Sequence, residues 1–323
     1  MQKATARAHP NIAFIKYWGN RDDNLRLPSN PSLSMNLAGV YTQTTVEWTD
    51  DLTSDSLDIN GEPAAEEARM RVSNHLDRVR SRLNMTTRAR VQSENNFPMG
   101  AGIASSAAAF AALTVAAVAA ADVQLSEREL STIARMGSGS ASRSVPGGFV
   151  EWFAADTHEE SYAQSFAAPD HWDLHDVIAV VSTEHKKTGS QAGHRTAFTS
   201  DLQPARVAGA QARFDVCRQA LLDRDFSSLA TVVEEDSNLM HAVMMTSRPP
   251  LFYWQPTSLE IMHLVPEWRR EGLNVCYTLD AGPNVHCLCT ADAAEEVRNR
   301  LQNLSEVGEV RMTSPGGAAE IIS

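Results

Sequence analysis

The chain has 323 residues, 43% of them hydrophobic and 21% charged, with a formal net charge of −12. That length allows one large or two ordinary domains with real cores, and the composition excludes a disordered chain or a fibrous repeat. The acidic balance disfavours a nucleic-acid surface and gives no general attraction for anions, so a phosphorylated ligand has to be held by local donors.

MQKATARAHPNIAFIKYW, at the start, lacks the long apolar core and small-residue cleavage site of a signal peptide. Val40 to Trp48 and Arg88 to Glu94 alternate as strands do, and Pro63 to Leu83 between them carries a charged helical pattern. Phe97 to Ala121 has no charge, but its alanines, glycines and serines suit a buried helix from about Ser105 to Ala121 better than a membrane span. Ser126 and Glu129 form a capping box for the next helix, which ends at the small-residue loop GSGSASRSVPGG. FVEWFA and Asp176 to Ser182 read as strands. Amphipathic helices follow at about 204–223, 227–246 and 257–271, then strands NVCYTLD and VHCLCT, a helix from Asp292 to Leu304, and a last strand pair around EVRMTS and AAEIIS. The alternation lacks a regular βαβ rhythm and predicts an α+β protein with two domains, 1–185 and 186–323. All four cysteines lie in the C-terminal third, and Cys287-x-Cys289 looks like one face of a strand rather than a metal pair. This usage fits a reducing, cytoplasmic setting.

Four stretches carry chemistry. In Pro98-Met-Gly-Ala-Gly-Ile-Ala-Ser-Ser106, glycines let backbone N–H groups approach an anion and the following helix adds its free N-terminal donors. It reads as a phosphate cradle without a lysine, hence no Walker A loop, with a plain structural turn as the alternative. A dinucleotide fingerprint fails because Asp122 does not end a strand. Gly137-Ser-Gly-Ser-Ala-Ser-Arg143-Ser gathers serines around one guanidinium, which suits a carboxylate or phosphate; a helix-ending turn with a solvated arginine is the plain alternative. Thr278-Leu-Asp280-Ala-Gly-Pro-Asn284 sets a carboxylate at the end of an apolar strand, where it serves either to orient or deprotonate a hydroxyl or merely to close an Asx turn. Lys186-Lys187-Thr-Gly-Ser190-Gln191 is a cationic loop over a nucleotide or a charged linker. His9 and His241 read as structural.

Together and in this order, NIAFIKYWGNRD, LPSNPSLSMNL, SENNFPMGAGIASSAAAFAAL, ARMGSGSASRSVPGGFVEW, LDAGPNV and SPGGAAEII resemble the mevalonate diphosphate decarboxylase group of the GHMP kinase superfamily. The resemblance implies an N-terminal domain like ribosomal protein S5 domain 2, a ferredoxin-like C-terminal domain, an active site in the cleft between them and a homodimer. It implies ATP-dependent phosphorylation of the 3-hydroxyl of a phosphorylated mevalonate, then loss of phosphate and CO₂. By resemblance, Asp280 orients or deprotonates that hydroxyl, Arg143 grips the C1 carboxylate, Ser138 and Ser140 flank the substrate, and Asn11 and Tyr17 seat it. Lys16, Asn20, Arg21, Ser190 and Gln191 complete the expected substrate contacts. Asn95, Gly100, Ala101, Gly102, Ser105 and Ser106 are expected to hold ATP with Mg²⁺, Ser106 on the metal. Lys186 is the expected cation on the γ-phosphoryl, with Lys187 beside the nucleotide as its rival.

Two positions depart from the family pattern. Members using the diphosphate have lysine where Asn20 stands, in KYWGK, and typically arginine where Gln191 stands. Losing two charge-assisted contacts shifts preference by on the order of 3 kcal/mol, about a hundredfold or more. The expected substrate is therefore mevalonate 5-phosphate and the product isopentenyl phosphate. The alternatives are a diphosphomevalonate decarboxylase with a rearranged terminal-phosphate site, a mevalonate 3-kinase, or a silent nucleotide-binding homologue.

Overall fold

A computed structural model describes residues 3–97, 105–182 and 189–323, apart from the side chains of Ser190 and Gln191. The first strands are β1 (Lys3–Ala8), β2 (Asn11–Ile15), β3 (Asn20–Asp22), β4 (Leu27–Pro28), β5 (Ser32–Asn36), β6 (Thr42–Thr49), β7 (Ser56–Ile59) and β8 (Glu62–Pro63). Helix α1 (Glu66–Leu83), β9 (Arg88–Asn95), α2 (Ser105–Ala120), α3 (Glu127–Gly137), β10 (Phe149–Trp152), β11 (Ala163–Ala167) and β12 (Leu174–Val180) follow. The remainder comprises α4 (Ser190–Thr196), α5 (Gln203–Ala208), α6 (Ala210–Asp223), α7 (Phe226–Thr246), α8 (Pro256–Arg270), β13 (Val275–Thr278), β14 (Val285–Thr290), α9 (Ala291–Gln302), β15 (Glu309–Thr313) and β16 (Glu320–Ile321).

Three larger sheets result, ordered β16-β1-β6-β9-β7-β8, β11-β10-β5-β2 and β13-β14-β12-β15. Helix α2 is buried nearly all round, and its alanines let it lie close on β1 and β6. Trp48 Nε1 donates to the Ala117 carbonyl at 2.9 Å. The expected capping box is present, with Ser126 Oγ accepting from the Glu129 amide. The second sheet packs on α6 and α7, which also cover one face of the third; α8 and α9 cover its other face. One apolar cluster thus runs from Ile12, Phe14 and Leu33 through Phe214 and Val233 to Cys276 and Leu288. All four cysteines are buried and free. No helix among the described residues is long and apolar enough to cross a membrane.

Three details differ from the sequence reading. The helix expected at 204–223 is two helices, α5 and α6, divided at Gly209. The last two strands do not pair with one another: β15 joins β12, whereas β16 joins β1 at the far edge of the first sheet. Strand β12, read from sequence as part of the first half, pairs with β14 and β15.

A buried polar knot fixes the segment after β2. The Lys16 amide donates to Asp236 Oδ2 of α7 at 2.6 Å, and Arg213 Nε donates to Asp236 Oδ1 at 2.8 Å. Arg206 Nη2 donates to the Lys16 carbonyl at 2.7 Å, and Gln203 Nε2 to the Trp18 carbonyl at 2.9 Å. Asp236 is fully buried, so its removal strands two guanidinium groups in the interior. Asp236→Ala is expected to cost about 3–5 kcal/mol of stability, read from urea unfolding midpoints.

Candidate active site

With its backbone held by that knot, Lys16 sends its ammonium to Asp280, Nζ to Oδ1 at 2.7 Å. Lys16 is 1% exposed, whereas the Asp280 side chain keeps 30% of its surface open to solvent. Asp280 follows β13, and the Leu279 amide beside it is anchored on Ser237 Oγ at 3.0 Å. Burial by itself pushes the Asp280 carboxyl up, but Lys16, then His286 and Arg143, outweigh it and hold the group at about 2. Burial lowers the Lys16 ammonium, with Asp280 opposing. The carboxylate is therefore ionised at every physiological pH, positioned by one cation and open on one side.

Arg143 lies in the 3₁₀ turn Gly139–Ser144 that follows α3. It is 3% exposed, which excludes the solvated-turn alternative. Its Nε and Nη2 both donate to Asn11 Oδ1, at 3.2 and 3.1 Å, and Nη1 donates to Ser32 Oγ at 2.9 Å. Asn11 is set in turn by its own amide, which donates to Ser144 Oγ at 2.8 Å and to the Ser140 carbonyl at 3.1 Å. A guanidinium carries five N–H donors. These bonds leave one on each terminal nitrogen, as many as a carboxylate accepts. Burial draws Arg143 down to about 10, with Asp280 and Tyr17 opposing, so it stays charged at neutral pH.

Hydroxyl groups link this turn to α2: Ser106 Oγ lies 3.3 Å from Ser138 Oγ, which lies 3.4 Å from Ser140 Oγ. Gly139 is required by close approach, since a Cβ there would sit 2.5 Å from the Tyr17 ring. Tyr17 stacks on His194 at 4.1 Å and meets Trp152 edge-on at 4.7 Å. Burial pushes the Tyr17 phenol up and draws His194 down to about 3, so both are neutral. His194 Nδ1 accepts from the Gly19 amide at 3.0 Å.

The structure brings Asn11, Lys16, Tyr17, Ser106, Ser138, Ser140, Arg143 and Asp280 into one neighbourhood. Asn20 joins it through its Oδ1, which accepts from the Tyr17 hydroxyl, while its Nδ2 donates to Asp23 Oδ1 at 2.8 Å. Arg21, expected to touch the substrate, instead pairs with the exposed Asp156. Asn95, expected at ATP, has its Oδ1 occupied by Thr42 Oγ1 at 2.6 Å. Ser105 opens α2 and Ser190 opens α4. Gly100, Ala101, Gly102, Lys186 and Lys187 lie outside the described residues, as do the side chains of Ser190 and Gln191. His9 and His241 make structural contacts, with the Val40 carbonyl at 2.8 Å and the Trp254 ring at 5.0 Å. Asp236, Arg206, Arg213, Ser32 and His194 carried no sequence signal, because their partners are distant in the chain.

Two family models match successive parts of the chain: diphosphomevalonate decarboxylase-like N-terminal domain over residues 8–163, and mevalonate 5-diphosphate decarboxylase C-terminal domain over residues 176–315. The chain belongs to the mevalonate diphosphate decarboxylase family. Its fold is the two-domain fold of that family within the GHMP kinase superfamily, and the family's members are ATP-dependent decarboxylases. A diphosphomevalonate decarboxylase from Candida albicans is 39% identical over 88% of this chain and 83% of its own. A phosphomevalonate decarboxylase from Haloferax volcanii is 34% identical over 99% of this chain and 98% of its own. A solved structure, MDDEF in complex with MVAPP, AMPPCP and magnesium, superposes with a TM-score of 0.94 at 34% identity, covering 100% of this chain and 99% of that one.

The Lys16–Asp280 pair gives a pH-dependent prediction. A carboxyl with a depressed folded pKa adds stability that is present above its unfolded value of about 4 and lost as pH falls towards 2. In Lys16→Met the opposing cation is gone and burial raises the carboxyl. The kcat/KM profile of that variant is expected to gain an acid limb, activity falling as pH drops through the raised pKa, whereas the wild type shows no such limb from Asp280 between pH 5 and 8.

Proposed function

We propose that this enzyme decarboxylates mevalonate 5-phosphate, using ATP, and releases isopentenyl phosphate. The observation that carries this reading is the engagement of Asn20. At the position nearest the Tyr17 hydroxyl stands an amide, already bonded to Tyr17 and Asp23, and the neighbouring Arg21 is drawn off to Asp156. The end-to-end likeness to the Haloferax volcanii phosphomevalonate decarboxylase supports it.

In this reading Asp280 accepts a hydrogen bond from the 3-hydroxyl and aims that oxygen at the γ-phosphoryl group. With its acidity held at about 2, it works by orientation and charge more than by basicity. Ser106 presents an oxygen of the kind Mg²⁺ takes, next to the N-terminal donors of α2, so these residues fit a magnesium–nucleotide. When bound, Mg²⁺ neutralises phosphate charge during transfer. Lys186, with Lys187 as the rival, is proposed for the γ-phosphoryl. Once the 3-oxygen carries the phosphoryl group, the C3–O bond breaks and phosphate leaves with the electron pair. The C1–C2 pair then becomes the C2=C3 double bond and CO₂ departs. Arg143 holds the C1 carboxylate through this sequence, so that its electrons are released only as positive charge grows at C3.

A diphosphate substrate is the second reading. Arg26, Arg71 and Arg78 approach the same end of the site, so that wall carries more positive charge than residues 20, 21 and 191 alone suggest. CO₂ release measured with mevalonate, its 5-phosphate and its 5-diphosphate decides between them. A kcat/KM at least about tenfold higher for the monophosphate is expected; equal or reversed values assign the diphosphate. With either substrate, Asp280→Asn is expected to lose at least about a thousandfold in kcat while retaining ATP binding, and unimpaired turnover removes Asp280 from the mechanism.

A further inference from the structure

Arg26 stands where the reaction as described leaves a cation unused. Strands β3 and β4 form a short hairpin in which Asn20 pairs with Pro28 and Asp22 with Leu27, so Arg26 ends the turn immediately before β4. The turn is fixed from below: Arg135, fully buried, donates from Nε to the Leu25 carbonyl at 3.0 Å. Arg135 belongs to α3, the helix that leads into the serine turn.

Helix α1 supplies the opposite wall. Arg71, His75 and Arg78 share one face of it, at helical spacing. Arg71 lies 5.4 Å over the Phe110 ring, His75 meets that ring edge-on at 5.2 Å, and Arg78 donates to the Met136 carbonyl, two residues before Ser138. The half-buried Arg26 guanidinium has among its main electrostatic neighbours the Tyr17 phenol and the exposed guanidinium groups of Arg78, Arg71 and Arg195. His75 and His194, also facing Arg26, are held neutral, each at about 3, chiefly by burial.

Guanidinium groups that converge repel one another, a cost that an anion of matching size removes. Arginine is suited to that role because its planar fork grips phosphate oxygens in pairs. We propose that Arg26 is a specificity-determining residue whose guanidinium, together with Arg78, contacts the 5-phosphate of the bound substrate and supplies the charge that residue 20 lacks. This assignment rests on the decarboxylase reading above, but not on the number of phosphates.

The test compares wild type with Arg26→Gln and Arg26→Lys. For Arg26→Gln, KM for mevalonate 5-phosphate is expected to rise at least about thirtyfold, with kcat falling far less and KM for ATP unchanged. Arg26→Lys is expected to recover part of the loss. Thermal unfolding without substrate separates binding from a structural role: the Gln variant is expected to be at least as stable as wild type, since a repelled cation is gone, and to lose the stabilisation that inorganic phosphate gives wild type. Both substrates are assayed, so that an equal KM rise with the diphosphate supports Arg26 even where the monophosphate preference fails. Unchanged KM values for both substrates, or a Gln variant destabilised with no KM change, overturn the assignment.

Discussion

One buried carboxylate, Asp236, holds the site together. It lies on α7 and carries no exposed surface, yet it takes the Lys16 amide and the Arg213 guanidinium from elements far apart in the chain. Burying ions is unfavourable unless their partners are well placed and the remaining donors are used. Most are used here: Arg213 Nη2 donates onward to the Arg206 carbonyl at 2.7 Å and Arg206 Nη1 reaches Asn30 Oδ1 at 3.2 Å, with Arg206 Nε alone of that guanidinium left unpaired. A hydrophobic residue in place of Asp236 would strand both guanidinium groups and would not fix the direction in which Lys16 leaves β2.

That direction sets the chemistry. Lys16 Nζ meets Asp280, and the next residue, Tyr17, turns onto the serine loop. The result is two charged groups with distinct surroundings. Asp280 is an anion kept ionised by Lys16, while Arg143 is a cation oriented by neutral amide and hydroxyl oxygens from Asn11 and Ser32. Because these dipoles and charges are in place before any ligand arrives, little reorganisation is needed when charge develops beside them.

The sequence exposed what is local. Asp280 was visible because an apolar strand ends there in a Gly-Pro turn, and Arg143 because serines and glycines crowd one arginine. The Ser126–Glu129 capping box and the alanine-rich helix were equally legible. What escaped was set by tertiary pairing. Asp236 sits in an ordinary amphipathic helix, and its bond to Lys16 spans 220 residues. The strands EVRMTS and AAEIIS are adjacent in sequence but enter different sheets, since register and partner are chosen by which face is buried. Arg21 looked like a pocket residue because it follows the aromatic pair, yet the hairpin turns it outward to Asp156. Arg26, beyond the turn, is brought back by the same hairpin.

The claim that Lys16 acts through Asp280 is tested most directly by a double-mutant cycle on kcat/KM with Lys16→Met and Asp280→Asn. If the ammonium serves to keep that carboxylate ionised and aimed, the double variant loses about as much as Asp280→Asn alone. Losses that multiply, each variant contributing its full factor in the presence of the other, would contradict the account.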